Sequence, residues 1–153
     1  METPFPPEQD ALIHQLQERI KELNCLYAIS RIAANPSATR NSILQEIADT
    51  IPLGFQSPES TCARIEIGDT AAETANFRTC EWRLEVDIAG DEKAAGRLEV
   101  GYLGVPPHGG SVFLGEEEKL VQDIAFRIGQ FVQRESLIDS LTRSEREFRN
   151  LVD

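Results

Sequence analysis

The chain predicts an α+β fold, a small antiparallel sheet with long N- and C-terminal helices packed on one face. Three observations lead there. Apolar residues recur at steps of three and four near both ends, which is helical spacing. Three segments in the middle alternate apolar and polar residues, which is strand spacing. Gly90-Asp91 between two of those segments is turn chemistry, so they form an antiparallel hairpin. The 153 residues suit one domain with flanking helices.

Residues 1–9 hold three of the eight prolines and are expected as a disordered tail. A long helix follows from about Asp10 to Ala34. In it Ile13, Leu16, Ile20, Leu23 and Tyr27 keep a 3-4-3-4 heptad spacing, and Leu12, Leu26, Ile29 and Ile32 widen the stripe. Asn35-Pro36 ends it, because the residue before proline avoids helical angles. A second helix, about Asn41 to Ile51, sets Ile43 or Leu44, Ile47 and Ile51 on one face before Pro52 and Gly54.

In the sheet, Ala63, Ile65 and Ile67 alternate with Cys62, Arg64 and Glu66. Trp82, Leu84, Val86 and Ile88 alternate with Arg83, Glu85 and Asp87. Leu98, Val100 and Tyr102 alternate with Arg97, Glu99 and Gly101. A weaker strand is expected near Asn76–Cys80, and the Pro- and Gly-rich stretch 104–115 as an irregular loop. The last helix starts near Gly115, with Glu116, Glu117 and Glu118 placed where exposed amide dipoles favour negative charge. Val121, Ile124, Ile128 and Phe131 carry a 3-4-3 seam along it. Leu137, Leu141, Ser144, Phe148 and Leu151 continue a helical stripe without a Gly or Pro break.

Composition narrows the function. A formal charge of −11 with no basic cluster argues against nucleic acid, whose phosphates need a basic surface. The acidic residues are spread through the chain and read as a solvated surface. No apolar run approaches the ~18 residues of a membrane span, and Met-Glu-Thr-Pro lacks a leader's basic start. Three cysteines cannot all pair within one chain, so reduced thiols in a cytoplasmic protein are expected.

The words Glu22-Leu23-Asn24-Cys25-Leu26-Tyr27-x-Ile29-Ser30, Thr61-Cys62-Ala63-Arg64-Ile65, Asn76-Phe77, Gly96-Arg97-Leu98-Glu99-Val100-Gly101-Tyr102, Phe113-Leu114-x-Glu116-Glu117 and Ile124-Ala125-x-x-Ile128-Gly129 stand in that order. Together they resemble a GAF-like sensory domain of bacterial and archaeal signalling proteins, over roughly residues 20 to 140. Ser144-Glu145-x-x-Phe148-Arg149-x-Leu151-Val152-Asp153 resembles the leader that opens a PAS domain. The division is then a tail at 1–9, a GAF-like domain with its signalling helices at 10–140, and a PAS-like start at 141–153. The resemblance implies dimerisation through the terminal helices and downstream PAS and kinase domains in the same polypeptide, as in a two-component sensor histidine kinase.

A heptad seam that outruns the sheet needs a partner, and a homodimer supplies one. The expected interface is a seam shared by Ile13, Leu16, Ile20 and Leu23 with Val121, Ile124, Ile128 and Phe131. The expected function is non-catalytic transmission and dimerisation, without cofactor or metal. His14 and His108 have no partner at metal-ligand spacing, and no Gly-rich nucleotide cradle or phospho-acceptor histidine motif is present. One alternative is a small-molecule sensor, with Arg64, Arg83 and Arg97 on the sheet face away from the helices as the ligand contacts. A remote one is a cysteine-dependent redox enzyme of GAF fold using Cys62 and Cys80. Against it, Cys62 lies on the polar side of its strand, and no cysteine sits at a helix N-terminus that would lower its pKa. Cys25 is expected in the core.

Overall fold

A computed structural model describes residues 7–90, 94–104 and 115–152. Helix α1 spans Pro7–Ala33. It begins three residues before Asp10, so the last part of the expected disordered tail is helical, and residues 1–6 lie outside the described residues. Glu8 and Asp10 in its first turn and Arg31 in its last match the helix dipole. Helix α2 spans Arg40–Thr50, and the Thr39 hydroxyl caps it by accepting the Ser42 amide at 3.1 Å. A 3₁₀ turn, Ile51–Gly54, follows where Pro52 cannot continue the α-helix.

Four strands form one antiparallel sheet: β1 Thr61–Ile67, β2 Thr70–Glu73, β3 Trp82–Ala89 and β4 Ala94–Tyr102, in the order β2-β1-β4-β3. The β3–β4 hairpin has Leu84 opposite Val100 and Val86 opposite Leu98, as the alternation requires. Asp91 of its expected turn lies outside the described residues. The expected strand at Asn76–Cys80 is corrected. Those residues are turn and coil, because β2 and β3 occupy opposite edges and the chain between them crosses the sheet. The fourth strand is instead Thr70–Glu73, folded back on β1 through Gly68, whose φ of 56° suits glycine.

One face of the sheet is the core side. Ala63, Ile65, Ile67, Ile88, Leu98, Val100 and Tyr102 are buried there with Ile43, Leu44, Ile47, Ile51 and Phe55. Helix α3, Gly115–Val152, lies on β3 and β4. Gly129 permits the approach, since a Cβ there would stand 3.0 Å from the Ala89 carbonyl oxygen. Helix α1 packs on α2, the 3₁₀ turn and α3.

The contacts between α1 and α3 fix their direction. Glu22 and Glu116 line one cleft, Arg127 donates to Ser30, and Arg134 donates to the Ala33 carbonyl at 2.9 Å. Later residues of α1 therefore meet later residues of α3, and the two helices run parallel. The first turns of α1, before His14, extend past the cleft it forms with the start of α3 at one end. Residues 135–152 project past the end of α1 at the other, about 27 Å. Among the described residues no helix is long and apolar enough to cross a membrane.

Candidate functional site

The outer sheet face brings Arg64, Arg83 and Arg97 together, as the alternation places them. Each is engaged by carboxylates. Arg64 pairs with Glu66 at 2.8 Å and Glu73 at 2.6 Å, and its guanidinium lies 5.9 Å from the centre of the Phe77 ring. Arg83 meets Glu85 at 3.3 Å and Glu99 at 3.5 Å, while Arg97 meets Glu85 at 3.6 Å. Burial raises the Glu99 carboxyl above its ordinary range, and Glu85 beside it adds to the shift. The depression between these side chains holds about 70 Å³. Ligand pockets run from roughly 300 Å³ upward. The arrangement is a cross-strand charge lattice on a solvated face.

The eight residues of the expected helical seam are not one surface. Ile13, Leu16, Ile20 and Leu23 are 38% to 56% exposed, and Tyr27 continues their row at 69%. Val121, Ile124 and Ile128 are fully buried and Phe131 is 5% exposed, all inside this chain's own core. That half of the seam is corrected: it covers β3 and β4, because α3 lies directly on them. On the second half of α3 the exposed apolar residues are Leu137, Ile138, Leu141, Phe148 and Leu151. Each projecting helix end thus carries an uncovered apolar row.

A third feature is a cleft of about 470 Å³ where α1 meets the start of α3. His14, Gln15, Glu18, Arg19, Glu22, Gln56, Glu116 and Glu117 line it. Glu117 is buried and accepts the Tyr102 hydroxyl at 2.7 Å and the Gln56 amide at 3.3 Å. Burial, followed by the contact with Glu117, pushes the Tyr102 phenol well above its ordinary value. Glu22 is also buried. Desolvation raises its carboxyl, partly offset by Arg19 at 3.6 Å. Neither glutamate stood out in the sequence as an interior residue. The available signal was phase: Glu22 shares a face with Cys25, Leu26 and Ile29, and Glu117 with Leu120, Val121 and Ile124.

Cys25 packs in the core beneath Gly54, and burial raises its thiol to about 12. Cys62 and Cys80 come together, their sulfur atoms 3.5 Å apart. Cys62 lies on the outer side of β1 as expected. It is nonetheless fully buried, because the crossing chain covers that end of the sheet. Among the described residues no group of His, Cys, Asp and Glu is arranged to hold a metal ion. His108 lies outside the described residues. No family model matches the chain, and no curated protein matches it.

Proposed function

We propose that this chain is a non-catalytic transmitting and dimerising module, a GAF-like unit of a cytoplasmic two-component-type signalling protein. In this reading it hands its state to PAS-like and kinase domains of the same polypeptide. One observation carries the proposal: two parallel helices leave the globular body at opposite ends, each with an uncovered apolar row. A second copy beside the first would pair α1 with α1 and α3 with α3, in one direction, and cover both rows. Burying a Leu or Ile contributes roughly 1.5–3 kcal/mol each, so rows of four or five outweigh a typical ordering cost. The continuous helix through Arg134–Val152 supports a shaft rather than a flexible tether.

Sedimentation at tens of micromolar tests the dimer. The expected species is twice the chain mass, and Ile20→Glu with Leu141→Glu should give a folded monomer. An unmodified chain that sediments as a monomer rules the reading out. The shaft is tested in the full-length parent by deletions between Arg134 and Thr142. Removing four residues turns the output by about 40°, whereas removing seven turns it by only about 20°. The shorter deletion is expected to lock the output and the longer one to spare it. Unchanged activity and regulation in both would refute the shaft.

The second reading, a small-molecule sensor, is favoured by the volume of the α1–α3 cleft, which falls within the range of ligand pockets. Its glutamates suit a cationic ligand. A thermal-shift screen of polyamines and other organic cations tests it, and a rise of several degrees abolished by Glu22→Gln would favour it.

A further inference from the structure

Cys62 stands in β1 directly opposite Gly101 of β4. After β2 the chain stays beside β1 for a short distance. There the Thr74 amide donates to the Ala63 carbonyl at 2.9 Å, and Asn76 Nδ2 donates to the Thr61 carbonyl at 3.2 Å. It then crosses the outer face to reach β3 on the far side of β4. At the crossing Cys80 rests on Gly101: a Cβ added to that glycine would stand 3.0 Å from both Cβ and Sγ of Cys80. Glycine at 101 leaves the space in which the two sulfur atoms meet. Both thiols are free, and Cys80, 7% exposed against 0% for Cys62, is the more accessible. Cys25 is placed differently, with its sulfur facing the Thr50 and Ile51 carbonyls.

We propose that Cys62 and Cys80 form a reversible disulfide site, oxidised by a small hydroperoxide, that fastens the β2–β3 crossing to the sheet. The Cys80 thiolate attacks the distal peroxide oxygen. The O–O bond breaks, an alcohol or water leaves with a proton from solvent, and Cys80 becomes a sulfenic acid. Cys62 sulfur then attacks Cys80 sulfur, the S–O bond breaks, and the hydroxyl leaves as water with the Cys62 proton. Two thiols lose two electrons and the peroxide gains them. A dithiol reverses the change by thiol–disulfide exchange. Burial holds the Cys62 thiol at about 11, which leaves it a poor first nucleophile; its place in the second step rests on its partner's being already within contact distance. A disulfide requires the sulfurs to close to about 2.05 Å, and the partner not held in a strand ladder is Cys80.

The test treats the intact, reduced chain with hydrogen peroxide, alkylates remaining thiols after unfolding, and maps the cysteines by mass spectrometry. The expected product is 2 Da lighter than the reduced chain before alkylation; after it, the chain contains a Cys62–Cys80 link and an alkylated Cys25, and the link reverts with dithiothreitol. Its melting temperature should rise by about 5 °C or more, because the link constrains the unfolded chain. The Cys25→Ser variant should give the same link, and Cys80→Ser should give no intrachain link. Three alkylated thiols after treatment, a link through Cys25, or a lower melting temperature would each overturn the proposal.

Discussion

The two halves of α3 carry the same kind of apolar repeat and meet opposite fates. From Leu120 to Val132 the repeat is buried on β3 and β4; from Leu137 to Leu151 it is exposed. The helix is continuous across the change, so neither half differs in local conformation. What differs is whether a sheet lies beneath. Periodicity thus states that a face is to be covered without stating by what.

Substitutions in the two halves should differ most of all. Ile128→Glu places a charge in a fully buried site with no partner, and the expected loss is about 3–5 kcal/mol, read by chemical denaturation. Leu137→Glu, at an exposed site, is expected within about 0.5 kcal/mol under conditions where the chain is monomeric. A comparable loss at both positions would break the comparison. Gly129→Val sharpens it, because the new side chain must push α3 away from the Ala89 carbonyl. The expected cost is roughly 1–3 kcal/mol, with no counterpart for a like change beyond Val132.

Smaller effects lie at the start of the buried half. Tyr102→Phe removes a hydrogen bond to the buried Glu117 carboxylate and should cost about 1.5–3 kcal/mol. Glu22→Gln should act in the opposite direction. Desolvation holds the folded carboxyl above its ordinary 4.5, so the folded chain binds that proton more tightly than the unfolded chain. The native glutamate therefore loses stability as pH rises from 4.5 through the raised folded value. The glutamine variant should be more stable at pH 7 and should lose that advantage below 4.5. Melting curves at pH 4 and pH 7 check both the sign and the window.

The elements visible in the sequence were those decided by local pattern. Ile43, Leu44, Ile47 and Ile51 share a face because helical pitch requires it, and the β3–β4 pairing follows from alternation on either side of a turn. The short strand Thr70–Glu73 was not legible. Two alanines and a glutamate carry little strand preference, and its place comes from pairing with β1 after Gly68. The pair Cys62 and Cys80 was raised from the resemblance alone; that the two meet was not legible, since it depends on the path of a crossing over two strands. The three arginines were placed on their face correctly, while the carboxylates that engage them arrive from all four strands. The seam on α3 was read correctly as apolar and assigned to another copy instead of the sheet beneath it, because spacing is blind to what lies opposite.

The parallel course of α1 and α3 also governs how such a unit can be joined to others. Many domains bring their two chain ends close together, which lets them be spliced into a surface loop of a host. Here the first residues of α1 and the last of α3 stand at opposite poles. The 38 residues of α3 alone span about 57 Å. A host loop would have to open by that distance to accept the unit. Anything attached to those two helix ends would stand apart along one axis, and a change in the length of either helix would reset the angle between them.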